Sequence, residues 1–157
     1  MSSRILFVCL GNICRSPTAE GVFRQRARQA GLTDLQIDSA GTAGWHVGKA
    51  PDPRSVAAAQ GRGYDLSTLR ARQVRVADFD HFDLVLAMDR QNLAELKSLA
   101  PRGAKSSLGL FLDYASGVAL KDVPDPYYGG AAGFEQVLDL VEQASDGLIA
   151  RLRGDRL

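Results

Sequence analysis

A cysteine and an arginine stand six positions apart in the stretch FVCLGNICRSPTAE, residues 7–20. Cysteine attacks as its thiolate, and a free thiol is only a few per cent ionised at pH 7. Cys9 therefore needs surroundings that favour negative charge. Arg15 offers a permanent cation whose planar fork of donors matches two phosphate oxygens. Between them, Gly11 lacks the Cβ that would block an anion and permits positive φ, and Asn12 tolerates the left-handed region. The loop Leu10, Gly11, Asn12, Ile13, Cys14 reads as a cradle for a tetrahedral oxyanion, with Ser16 placed to donate a hydrogen bond to the Cys9 sulfur. A cradle that stabilises phosphate also stabilises a thiolate beneath it. The same residues also fit a buried cysteine and a solvated arginine.

Such a cradle needs a strand behind it and a helix in front. Arg4 to Val8 (RILFV) reads as a buried strand. Ser16 suits a helix N-cap and Pro17 the first helical position, with Ala19, Val22, Phe23, Ala27 and Ala30 as the apolar stripe and Gly31 as the stop. Further strands are expected at Leu35–Ser39, Phe82–Met88 and Leu108–Leu112. Further helices are expected from Asp52-Pro53 to near Gly61, from Asp89 to Pro101, and from about Gly133 to Arg153. The last carries Phe134, Val137, Leu138, Val141 and Leu148 inward. Strands alternating with helices imply βαβ units around a parallel sheet, in one α/β domain over residues 1–157. Ligands in such sheets sit beyond the C-terminal strand ends, which is where Cys9 falls.

Departure of an alkoxide or phenoxide requires a proton, and a general acid contributes roughly 10²–10⁴-fold. Asp125 in VPDPYYGG is the candidate. Flanking prolines stiffen its loop, and apolar or aromatic walls help a carboxyl hold a proton. A rigid surface turn is the competing reading. Cys14 has two readings as well: a small packed residue, or a redox partner that closes a reversible disulfide with Cys9. His46 and His81 read as surface or loop residues, and the Cys and His positions supply no metal-ligand spacing. Trp45, in a Gly-rich setting, reads as a wall at the mouth of the site.

The 157 residues are 45% apolar and 24% charged, as in an ordinary globular protein. Nineteen Lys plus Arg against eighteen Asp plus Glu give a net charge of +1. That balance supplies no whole-molecule reason to bind nucleic acid or an anionic membrane. The apolar run behind Arg4 is too short for a signal-peptide core or a membrane span, and two cysteines do not make a disulfide framework. A cytoplasmic monomer is expected.

These residues resemble the low-molecular-weight protein tyrosine phosphatases across essentially the whole chain. The likeness is carried by VCLGNICRSP, by DSAGTAGWHVG at 38–48, by RARQ at 70–73, by AMD at 87–89 and by DPYYG at 125–129. It implies a twisted four-stranded parallel sheet with helices on both faces and the phosphate loop after strand 1. By motif, Cys9 resembles the nucleophile, Arg15 the phosphate clamp, and Asp125 the general acid that then acts as base on water. Asn12, Ser16 and Ser39 resemble the loop supports, and Trp45, Tyr127 and Tyr128 the crevice walls. No cofactor or metal is implied. The implied partner is a tyrosine-phosphorylated protein, such as a bacterial tyrosine kinase, with inorganic phosphate as product. One departure stands out: Leu69 falls where many members carry a loop-supporting histidine, so loop rigidity is in question.

Arsenate reduction on a similar loop needs relay cysteines beyond Cys14, which are absent. A protein arginine phosphatase resembles this chain but has Thr where Ile13 stands, and Ile13 with Trp45, Tyr127 and Tyr128 favours a flat phenyl ring. A phosphopeptide-binding module would lack Cys9 or Asp125. A P-loop NTPase would have Gly-Lys-Ser/Thr after the loop.

Overall fold

A computed structural model describes residues 3–154. Four strands form one parallel sheet: β1 (Ser3–Cys9), β2 (Leu35–Gly41), β3 (Leu84–Ala87) and β4 (Ser107–Leu110), in the order β2-β1-β3-β4. The α-helices are α1 (Arg15–Gln29), α2 (Pro53–Gln60), the short α3 (Asp78–His81), α4 (Arg90–Leu99) and α5 (Ala131–Gly154).

The central strand explains its own apolar run. Side chains alternate across a strand, so Ile5, Phe7 and Cys9 enter one core while Leu6 and Val8 enter the other. The first core joins the sheet to α1, α2 and α5 through Val22, Phe23, Ala59, Leu138, Val141 and Leu148. Phe7 sits edge-on to Phe23 at 5.6 Å and to Phe111 at 4.8 Å. The second joins it to α3 and α4 through Phe79, Phe82 and Leu96. A strand buried on both faces has no polar alternation, as RILFV shows.

The chain leaves β1 for β2 on one side and later returns to β3 on the other. The C-terminal end of β1 is therefore a topological switch point, where open α/β sheets leave a crevice. Gly41 at the end of β2 keeps this place open, since a Cβ there would lie 2.7 Å from the Leu10 carbonyl oxygen.

Several boundaries differ from expectation. Ser16 is not the N-cap of α1: the helix starts at Arg15, and Cys14 occupies the cap position without a side-chain bond to the helix N–H groups. The Ser16 hydroxyl is taken instead by the Cys9 sulfur and the Asn12 amide. Strand β3 is shorter than Phe82–Met88 because Phe82 terminates α3, a single turn that the sequence pattern did not suggest. The fourth strand stops at Leu110, and Phe111–Tyr114 turns into a 3₁₀ helix. Asp52 and Asp89 cap α2 and α4 as expected, accepting from Arg54 N–H and Asn92 N–H. Gly31 takes φ +85 just after α1.

Candidate active site

Cys9 ends β1 with its side chain nearly sealed, and the next five residues curl over it before α1 begins. Its Sγ accepts from the Asn12 backbone N–H at 3.3 Å and lies 3.0 Å from Ser16 Oγ. Asn12 Nδ2 donates to Ser16 Oγ at 2.8 Å, and the hydroxyl also lies 3.4 Å from the Ala40 carbonyl oxygen. The loop's turn is made by Asn12, whose φ of 59 is the left-handed conformation. Gly11 does not take positive φ. Its missing side chain matters for another reason, since a Cβ there would come within 2.9 Å of His46 Cδ2.

Arg15, the first residue of α1, has a side chain only 4% exposed. Its Nη1 donates to Asp89 Oδ2 at 2.6 Å and to the Val123 carbonyl at 3.0 Å. Burial works against the guanidinium charge, but Cys9 and Asp89 outweigh it and hold its pKa above the ordinary value. Asp125 Oδ2 lies 3.6 Å from Arg15 Nη2, and Asp125 Oδ1 accepts from the Tyr127 N–H at 3.1 Å. The Asp125 side chain is 46% exposed, so the apolar enclosure expected around it is only partial.

Behind the loop lies a buried polar chain. Asn12 Nδ2 also donates to Ser39 Oγ at 3.0 Å, and Asn12 Oδ1 accepts from the Arg72 N–H at 3.0 Å. Ser39 Oγ donates to Glu20 Oε1 at 2.7 Å, and Arg24 donates to Glu20 Oε2 at 2.7 Å. Burial pushes the Glu20 carboxyl upward, against the bonds from Ser39 and Arg24. Every hydrogen-bonding group of the Asn12 amide is thus occupied without a histidine. Leu69 instead packs half-buried against the core.

The crevice in front of the loop has a volume of about 260 Å³. Cys9, Leu10, Gly11, Ile13, Cys14, Arg15 and Asp125 line it, and Trp45, His46, Tyr127 and Tyr128 complete its walls. The Asn12 side chain reaches back from the loop to Ser16 and Ser39, which support it from behind. Trp45 and Tyr128 stand at the rim, 71% and 95% exposed. Cys14 carries a free thiol beside Asp52, with its pKa pushed up to about 12 by burial and the nearby Asp52 charge.

A family described as low molecular weight phosphotyrosine protein phosphatase matches residues 4–157. The chain belongs to the low-molecular-weight phosphotyrosine protein phosphatase family. Among its relatives is the low molecular weight protein-tyrosine-phosphatase of Streptomyces coelicolor, 50% identical over 98% of this chain and 95% of that one. The crystal structure of a protein tyrosine phosphatase from Entamoeba histolytica, with Hepes in its active site, superposes with a TM-score of 0.94 at 40% identity, covering 99% of each chain. A Drosophila arginine phosphatase superposes with a TM-score of 0.91 at 29% identity, covering 96% of this chain and 98% of that one. In this family frame, the four-stranded parallel α/β fold agrees with expectation.

Four residues of the phosphatase site escaped sequence reading. Glu20 lies one helical turn beyond Ser16 on the same face, a spacing that could have drawn attention to it. Asp89 was legible as a cap but not as the partner of Arg15. The backbone of Arg72 bonds Asn12, while its side chain bonds Asp38 at 3.1 Å and Asp78 at 3.0 Å. His46, expected as a plain loop residue, lies against Gly11 in the crevice. Among the described residues no three His, Cys, Asp or Glu side chains gather as a metal site would require, and no helix is long and apolar enough to cross a membrane.

Proposed function

We infer that this chain hydrolyses phosphotyrosine on proteins through a phosphocysteine intermediate. The observation that carries the reading is the Cys9 sulfur, bonded by Ser16 and the Asn12 N–H at the base of a crevice that also holds Arg15 and Asp125. When the sulfur attacks as a thiolate, the Asn12 N–H and the Ser16 hydroxyl are placed to donate to it. The loop amides, the α1 N-terminus and Arg15 favour the phosphoryl oxygens above it.

In the first step the Cys9 thiolate attacks phosphorus. The S–P bond forms as the P–O bond to the tyrosine ring breaks, and the departing phenolic oxygen takes the proton of Asp125. In the second step the Asp125 carboxylate removes a proton from water. The water oxygen attacks phosphorus, the S–P bond breaks, and inorganic phosphate leaves a regenerated thiolate and a protonated Asp125. Leu10, Gly11, Asn12, Ile13, Cys14 and Ser16 form or brace the phosphate cradle. Trp45, Tyr127 and Tyr128 form walls suited to a flat ring, and Ile13 on the crevice lining supports an aryl rather than a guanidino phosphate.

The substrate class is a tyrosine-phosphorylated protein, a bacterial tyrosine kinase among them, met by a cytoplasmic monomer whose residues 1–157 act as one domain. Cys14 is the reserve thiol. Peroxide converts Cys9 to its sulfenic acid, and condensation with the Cys14 thiol releases water and leaves a disulfide.

The mechanism is tested by mixing the enzyme with aryl phosphate, quenching in denaturant and locating the phosphate by mass spectrometry. Phosphate on Cys9 is expected. Phosphate on any other residue, or no phosphoenzyme despite turnover, contradicts the reading.

A further inference from the structure

Arg54, outside the catalytic set, joins three segments at the rim of the crevice. Its Nε and Nη2 reach the two carboxylate oxygens of Asp52 at 3.1 and 2.8 Å. Its Nη2 also donates to the Tyr127 carbonyl at 2.9 Å. The guanidinium lies 4.7 Å from the ring centre of Phe134 in α5 and 5.6 Å from that of Tyr127.

Both ends of this clamp lead into the reaction site. On one side the Asp52 N–H donates to the Ile13 carbonyl at 2.8 Å, and Asp52 Oδ2 receives the Cys14 thiol at 3.9 Å. On the other the Tyr127 N–H holds Asp125 Oδ1 at 3.1 Å. A continuous path therefore runs from the phosphate loop through Asp52, Arg54 and the Tyr127 peptide to the Asp125 carboxylate.

The segment between Tyr114 and α5 has no regular structure of its own. Upstream of Asp125 it is tied down at Val123, whose N–H bonds the Met88 carbonyl at 2.8 Å and whose carbonyl receives Arg15. Downstream, the bonds from Gly129 to Pro126 and from Gly133 to Gly130 are local. They shape the turn without placing it over the phosphate loop. The Arg54 bond to Tyr127 supplies that placement downstream of Asp125, beside the 3.6 Å approach of Arg15 Nη2 to Asp125 Oδ2.

We propose that Arg54 is a positioning residue that holds the acid-bearing segment over the phosphate loop and so sets the reach of Asp125 to the leaving oxygen. This rests on the reading of Asp125 as the general acid. The Arg54 end of the ion pair is half-exposed, which limits its contribution to stability, and the consequence of losing Arg54 is read in the kinetics, through Asp125. Lysine does not substitute, because a point charge cannot bridge a carboxylate and a carbonyl while stacking on a ring.

The test is a double-mutant cycle in kcat/KM, with Arg54→Ala, Asp125→Asn and their combination assayed on phenyl phosphate and 2,4-dinitrophenyl phosphate. Arg54→Ala should lower phenyl phosphate turnover about 10-fold and dinitrophenyl phosphate turnover by less than about threefold. In the Asp125→Asn background, Arg54→Ala should change phenyl phosphate turnover by less than about twofold. Arg54→Lys, carried through the same cycle, should show the same coupling and keeps the test open if the alanine variant does not fold. An Arg54 effect undiminished by Asp125→Asn, or equal on both substrates, overturns the positioning role alone. An Asp125→Asn variant as fast as wild type on phenyl phosphate overturns the acid reading, and the positioning role with it.

Discussion

The Ser16 hydroxyl and the Cys9 sulfur lie 3.0 Å apart, and the Asn12 amide already donates to the same hydroxyl oxygen. Against a Cys9 thiolate, which has no proton to give, the hydroxyl is the group that donates. Hydrogen bonds to a charged group contribute about 1.5–3 kcal/mol. Ser16→Ala should therefore lower kcat/KM by roughly 10- to 100-fold, and it should slow alkylation of Cys9 by iodoacetamide at pH 7. Competitive inhibition by inorganic phosphate should stay within about threefold of wild type. Unchanged alkylation in this variant would show that the sulfur does not depend on the hydroxyl.

Leu69 is a packing residue. Asn12 is fully bonded by Ser16, Ser39 and the Arg72 N–H, which leaves Leu69 no part in holding the loop. Leu69→Ala should cost about 1–2 kcal/mol in denaturant unfolding, in keeping with partial burial. It should leave kcat/KM within about twofold. A large loss of turnover at unchanged stability would mean that Leu69 shapes the loop directly.

Cys14 makes stability fall at high pH. Its thiol rises from an ordinary 9.0 to about 12 in the folded protein, through burial and the Asp52 charge. Below pH 9 both folded and unfolded chains keep this proton. Between about 9 and 12 only the unfolded chain releases it, so the folded state loses ground as pH rises through that window. Tyr64, buried and donating to Glu142 at 2.6 Å, is pushed up to about 12 and adds to the same decline. Cys14→Ala should make the decline shallower by one proton without abolishing it, as read from urea unfolding at pH 8.5 and 10.5. An unaltered slope would show that Cys14 ionises as freely in the folded chain.

Asp125 should matter in proportion to the need for its proton. Asp125→Ala should slow hydrolysis of phenyl phosphate by roughly 10²–10⁴-fold and affect a dinitrophenyl ester far less. A plot of log kcat/KM against leaving-group pKa should steepen in the variant. Parallel plots for wild type and variant would remove the acid role.

The legible parts of this molecule are the local ones. RILFV announces a strand buried on both faces, Asp52 and Asp89 sit before their helices, and Cys9, Gly11, Asn12 and Arg15 lie within seven residues of one another. Ser16 misled as a cap because the same hydroxyl that suits a helix start is captured by a sulfur seven positions away. Contacts distant in sequence were illegible. Arg15 meets Asp89 across 74 positions and Val123 across 108, and Arg54 meets Tyr127 across 73. No periodicity encodes such pairs; the Arg15 contacts exist only once the sheet order brings the ends of β1 and β3 side by side, and the Arg54 contact only once α2 meets the segment before α5. His46 escaped for the same reason, since its place over Gly11 depends on how the segment after β2 folds back.

The most direct test of the account compares wild type with Cys9→Ser on phosphotyrosine and phosphoarginine peptides, with a chelator present. Phosphotyrosine release by wild type alone, with phosphate affinity largely retained in the variant, is the predicted result. Turnover that persists in Cys9→Ser, or a wild type that prefers phosphoarginine, would contradict it.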